Sequence, residues 1–160
     1  MKRDDLISIF RTLGANDPES WANSEVDENI PQLARFMFLK GAWQLVVSDE
    51  DTSWIDSLLQ NVPSGSSDPF ADAAHSIRAM LDAGVSKSVI ARLVRAVQSE
   101  FLSDLCYMMD DPGSIEGNDE CVDWSLIEND DDGNPGRIIN GLHESVIETD
   151  PTGRECRPKT

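Results

Sequence analysis

The chain has 160 residues and sets 13 lysines and arginines against 30 aspartates and glutamates, for a formal net charge of −17 and a pI near 4.2. A chain of this length buries about two thirds of its unfolded surface without disulfide or metal staples, and 39% apolar with 27% charged residues excludes a wholly disordered acidic chain. The apolar stretches are broken by Lys40, Gln44, Arg92 or Arg95 before the roughly 18 residues a membrane span needs, and Met1 to Asp5 lead into no secretory pattern.

Three cysteines, Cys106, Cys121 and Cys156, are odd in number and lack C-x-x-C spacing, so they read as free thiols, with no metal site. The expectation is one domain over 1–160 in the cytoplasm, with no cofactor and no membrane contact.

In chain order, Leu6, Ile9, Phe10 and Leu13 recur at helical spacing and predict a helix over 4–13 that stops at Gly14. Asp17, with Pro18 at the first helical position, starts a second, short helix. Residues 31–47 are apolar nearly all round, with Leu33, Phe36, Leu39, Trp43, Leu45 and Val47 among them, and such a helix belongs in a core. A short amphipathic segment over 54–59 precedes the Pro-Ser-Gly-Ser-Ser linker at 63–67.

Asp68 and Pro69 open a helix over 69–83, which Gly84 ends in left-handed geometry. Ser86 caps the longest element, 86–110, which spans about 37 Å at ~1.5 Å per residue. Projected around that helix, Ile90, Val94, Val97, Phe101, Leu105 and Met108 form one stripe and Ser88, Arg92, Ser99 and Ser103 lie opposite, so the stripe is expected to pack.

Beyond Pro112-Gly113 the pattern changes. Val122, Trp124 and Leu126 alternate, Asp131-Asp132-Gly133-Asn134 makes a turn, and Arg137-Ile138-Ile139 returns, which predicts a β-hairpin within an acidic region over 113–140. A short helix over 142–148 and a tail over 150–160 complete the chain. The expected fold class is mainly α: an irregular helical bundle around a long central helix, with a small C-terminal β-hairpin.

Charge is the strongest functional signal. Between Asp104 and Asp132 there are eleven acids and no base. Such a run serves as a solvated loop that keeps the protein in solution, or as a surface that attracts basic partners. The second alternative predicts a non-catalytic interaction module, in the manner of an inhibitor or immunity-type protein. Its partner-binding residues would be Asp110, Asp111, Glu116, Asp119, Glu120, Asp130, Asp131 and Asp132.

Three other constellations compete with that expectation. Residues 83–93, with Gly84 at the turn, look like the turn and second helix of a helix-turn-helix, but Lys87, Arg92 and Arg95 are few bases for DNA on a body this acidic, so no nucleic acid is expected. Glu128 to Gly133 resembles a calcium loop whose twelfth position is Ile139, where an EF-hand needs a bidentate glutamate. No phosphate-binding loop or nucleophile motif is present, and an enzyme would have its site in a pocket around His143 and Glu144, with Trp124 beside them.

The helix over 86–110 also places its bases early and its acids late, against the macrodipole, at a cost of only about a few tenths of a kcal/mol per charge. Packing alone overrides costs of that size. Alternatively, two copies crossing antiparallel near residue 98 would pair Arg92 with Asp104 and Arg95 with Glu100, the self-complementary pattern of a homodimer.

Leu81-Asp82-Ala83-Gly84-Val85-Ser86, Leu93-Val94-Arg95-Ala96-Val97-Gln98, Gly141-Leu142-His143-Glu144-Ser145 and Asp150-Pro151-Thr152-Gly153-Arg154-Glu155 together carry a resemblance. The second half of the chain resembles a family of small uncharacterised bacterial proteins. The resemblance covers roughly half the chain, implies a bacterial origin and implies no activity or site residue. Methionine is usual in that family where this chain has Cys156, which argues against a chemical role for this thiol.

Overall fold

A computed structural model describes residues 1–114 and 122–158. The described residues form a mainly α-helical bundle with a small C-terminal antiparallel hairpin. The helices are α1 (Arg3–Leu13), α2 (Pro18–Asp27), α3 (Gln32–Trp43), α4 (Ser53–Asn61), α5 (Ala71–Asp82), α6 (Lys87–Asp110) and α7 (Leu142–Ser145), and the strands are β1 (Leu126–Asn129) and β2 (Pro135–Ile139). Contacts divide the chain into two compact units, one of residues 1–44 and 102–160, the other of residues 45–101.

Local chemistry sets most of the helix ends. Gly14 and Gly84 both adopt positive φ, and the amides of Ala15 and Val85 reach back to the carbonyls of Phe10 and Met80, closing α1 and α5 with the paired bonds of a left-handed cap. Asp17 accepts from the Ser20 amide at 3.0 Å and so caps α2, whose first residue is Pro18. The Ser86 carbonyl receives the amides of Val89 and Ile90 at the start of α6.

In the first unit, α1, α2 and α3 bury Leu6, Phe10, Trp21, Ala22 and Phe36 in one cluster. Its centre is aromatic: the Phe36 ring stands edge-on to Phe10 at 5.6 Å and to Trp21 at 5.1 Å. In the second unit Ile55, Ile77 and Ile90 bring α4, α5 and the first half of α6 together. Arg78 donates to the carbonyls of Leu59 and Val62 at the end of α4, groups that a helix terminus leaves unpaired.

The hairpin pairs Leu126 with Ile139 and Ile127 with Ile138, with an irregularity before Asn129 meets Pro135. Pairing begins only at Leu126, later than the alternation from Val122 predicts, and Cys121 lies outside the described residues.

Four expectations are corrected. The helix expected over 31–47 ends at Trp43, and Leu45 is 81% exposed. Val47 leaves helical geometry because α6 side chains take its backbone groups: its amide donates to Gln98 Oε1 and its carbonyl accepts from Arg95. Asp68 does not cap α5, since its carboxylate accepts from the Ser66 hydroxyl and the helix starts three residues later, after Phe70 in left-handed conformation.

The helix expected over 142–148 is a single turn, because the Val146 carbonyl accepts from the Trp43 indole and the Thr149 hydroxyl instead of continuing the helical ladder. The last correction concerns the packed face of α6. Ile90, Ala91, Arg95, Ser99, Leu102 and Cys106 are buried, whereas Val97, Phe101 and Met108 of the expected stripe are exposed. Small and polar residues win that face because Arg95 is needed inside, on the Val47 carbonyl.

Candidate functional site

Gly141 and α7 place the sequence-predicted pair His143 and Glu144. Leu142 and Val146, four apart, are both buried, which turns the single helical turn inward and leaves Glu144 exposed. The group that orients His143 is Asp110, the last residue of α6. Its Oδ2 accepts from the His143 amide at 2.8 Å and from the ring Nδ1 at 2.6 Å, so one carboxylate oxygen caps α7 and fixes the imidazole.

The Asp110 side chain is 6% exposed and that of His143 38%, so a buried anion holds a half-exposed ring with Nε2 left over. Tyr107, one turn earlier on α6, meets the same ring edge-on at 5.4 Å. Asp110 Oδ1 is buried without a hydrogen-bond partner among the described residues.

Arg35, from α3, is 7% exposed and donates to Ser145 Oγ and Asn140 Oδ1, both at 3.5 Å. Burial lowers its pKa, and the charges of Glu144 and Asp110 oppose that shift. Cys106 is fully buried one turn before Asp110. Burial, with the Asp110 charge second, pushes its thiol up to about 11, so it stays protonated and unreactive at neutral pH.

Sequence reasoning paired His143 with Glu144 and assigned Asp110 to an exposed acidic surface; the structure instead buries Asp110 against His143. Arg35 and Tyr107 went unnoticed. The available signal was an arginine set among Leu33, Ala34, Phe36 and Met37 in a largely apolar helix, where a base needs a partner if it is buried.

A polar cavity of about 230 Å³ among the described residues is lined by Ser20 and Ser24 of α2, Glu28 just beyond it, Gln32 of α3, and Ser145 and Glu148. His143, Glu144 and Trp124 are not among its lining residues.

The acidic surface is sparser than the composition suggests. Asp111, Asp130, Asp131 and Asp132 are exposed, while Glu116, Asp119 and Glu120 lie outside the described residues. Asp130 closes the hairpin turn, accepting from the backbone amides of Asp132 at 3.0 Å and Asn134 at 2.8 Å. The Asn134 side-chain amide holds the Asp130 carboxyl below its ordinary range, with these backbone amides adding to the effect. Asp111, Asp130, Asp131 and Asp132 are thus the exposed described part of the set, with the Asp130 carboxylate engaged by its own turn.

Several bases are turned inward, whereas Lys2, Arg3, Arg11, Arg92 and Arg157 are exposed. Arg137 pairs with both Glu25 and Glu128, and Lys40, Arg78 and Arg95 donate to backbone carbonyls. Of the residues expected in a dimer, Arg92, Glu100 and Asp104 are exposed and Arg95 is buried, so Arg95 drops out. Lys87 is engaged by Asp56, which leaves Arg92 as the exposed base of the helix-turn-helix-like segment that carries no ion pair among the described residues.

No group of three or more histidine, cysteine or carboxylate side chains is placed to hold a metal ion among the described residues. No helix among them is long and apolar enough to cross a membrane. Compared with protein-family models, curated proteins and solved structures, the chain matches none.

Proposed function

We propose that this chain is a non-catalytic interaction module of the bacterial cytoplasm whose acidic surface binds a basic protein, as an inhibitor or immunity-type protein does. The observation that carries the proposal is the disposition of charge: at −17 overall, Lys40, Arg78 and Arg95 turn onto carbonyl oxygens while Asp111, Asp131 and Asp132 face solvent. A complementary field of that kind raises the association rate and the selectivity for cationic partners, and salt screens it.

The test is capture from lysate of the source cell by the full chain, in parallel with a variant carrying Asp111→Asn, Asp131→Asn and Asp132→Asn. A stoichiometric basic protein is expected, binding at least about tenfold more weakly as salt rises well above physiological strength, and weakened again by the triple variant. An empty capture, or a partner indifferent to both salt and the variant, would refute the proposal.

One observation favours a second reading. A buried Asp110 on Nδ1 leaves His143 Nε2 as the atom for proton transfer, the arrangement of a general acid–base. Turnover of ester, phosphoester or glycoside substrates that disappears in His143→Gln would support an enzyme. Turnover unchanged in that variant, or none at all, would remove this reading.

A further inference from the structure

Helix α6 has a second apolar face. Val89, Leu93, Val97 and Phe101 are 43%, 54%, 57% and 67% exposed, and all four lie in the second unit. Four-residue spacing stacks them into one ridge, ~18 Å long at 1.5 Å per residue. Single exposed apolar side chains are ordinary on a protein surface, but a continuous row of four marks a docking surface. The row beside it on the same helix reads Arg92, Ala96, Glu100 and Asp104, all exposed.

We propose that this ridge is where a second copy of the chain docks, antiparallel, about a two-fold axis at Val97. Charge complementarity selects that occupant. About such an axis Val97 meets its own counterpart, Leu93 lies against the partner's Phe101, and Arg92 falls between the partner's Glu100 and the partner's Asp104. Because the axis repeats every contact, the arrangement has a base against acids at both ends and small Ala96 near the centre, where the backbones approach.

A parallel pair would instead set Arg92 on Arg92 and acids on acids. In the isolated chain Glu100 and Asp104 are a like-charge pair one turn apart, and the partner's Arg92 relieves that repulsion.

Rows of this four-residue spacing pack into one another at a crossing angle of about −50°. That crossing confines close contact to the central turns, and the pair buries on the order of 1,000 Å², at the low end for a specific interface. An interface of that size belongs to the weak, reversible class.

Sedimentation equilibrium of the full chain, from low micromolar to several hundred micromolar, is the test. The mass is expected to rise from 17.7 kDa toward twice that value with concentration. Val97→Glu, at an exposed position that leaves the fold intact by circular dichroism, should raise the dissociation constant at least about tenfold. Arg92→Glu should weaken the dimer, and adding Glu100→Arg and Asp104→Arg to it should restore association.

Val97→Cys should cross-link to itself under mild oxidation, as a residue on the two-fold axis must. A monomer at every concentration would overturn the proposal. So would a dimer indifferent to Val97→Glu and Arg92→Glu, or a charge swap that fails to restore association.

Discussion

Replacing Gly141 with alanine is expected to destabilise the first unit by about 3 kcal/mol, read as a shift in its chemical denaturation midpoint. Gly141 sits at φ +70°, a conformation that costs an L-residue about 1–2 kcal/mol. A methyl group there would also fall 2.7 Å from Arg35 Nη2 and 2.9 Å from its Cζ. A guanidinium at the end of a flexible chain ordinarily gives way, but this one is buried and holds Ser145 and Asn140. Displacing it strands a buried charge and the two side-chain oxygens that receive it.

The same substitution made in an Arg35→Ala background should cost less than in the parent chain, because only the backbone strain remains. A loss below about 1 kcal/mol in the parent chain, or strict additivity of the two substitutions, would show that the guanidinium does not confine this backbone.

Phe10→Ala is expected to cost still more, about 3–5 kcal/mol. The Phe10 ring is completely buried and touches both Trp21 and Phe36, so truncation opens a cavity inside an aromatic cluster and removes two ring contacts at once. Domains of this size are stable by only about 5–15 kcal/mol, so the variant should stand near the edge of folding. Phe10→Leu, which refills most of the volume, should lose distinctly less. Amide hydrogen exchange over α1, α2 and α3 separates the outcomes: a small, evenly spread change in Phe10→Ala would mean that the three rings do not form the core of this unit.

The sequence and the structure agree where the deciding chemistry is local. Gly14 and Gly84 end helices, Asp17 with Pro18 starts one, and the Asp-Asp-Gly-Asn turn closes a hairpin, in each case through bonds within a few residues. Disagreement is concentrated at α6. Ranking its residues by apolarity placed Val97 and Phe101 inside and Ser99 outside, yet the backbone carbonyl of Val47 draws in Arg95, and the turns that follow it on that face, Ser99 and Leu102, are buried with it. Hydrophobic periodicity cannot report a buried polar contact, nor an apolar face left unburied within a single copy.

Composition, helix signals and net charge thus determined by themselves a mainly helical, strongly acidic chain with its hairpin near the C-terminus, because those properties are sums or short-range effects. Only the tertiary structure decided that Asp110 belongs to His143 rather than to an acidic surface, that Arg35 lies beneath Gly141, and that the apolar ridge of α6 faces outward. Each of these depends on which distant groups share a buried space. There the cost of an unpaired polar group selects the partner, and spacing along the chain carries no record of that selection.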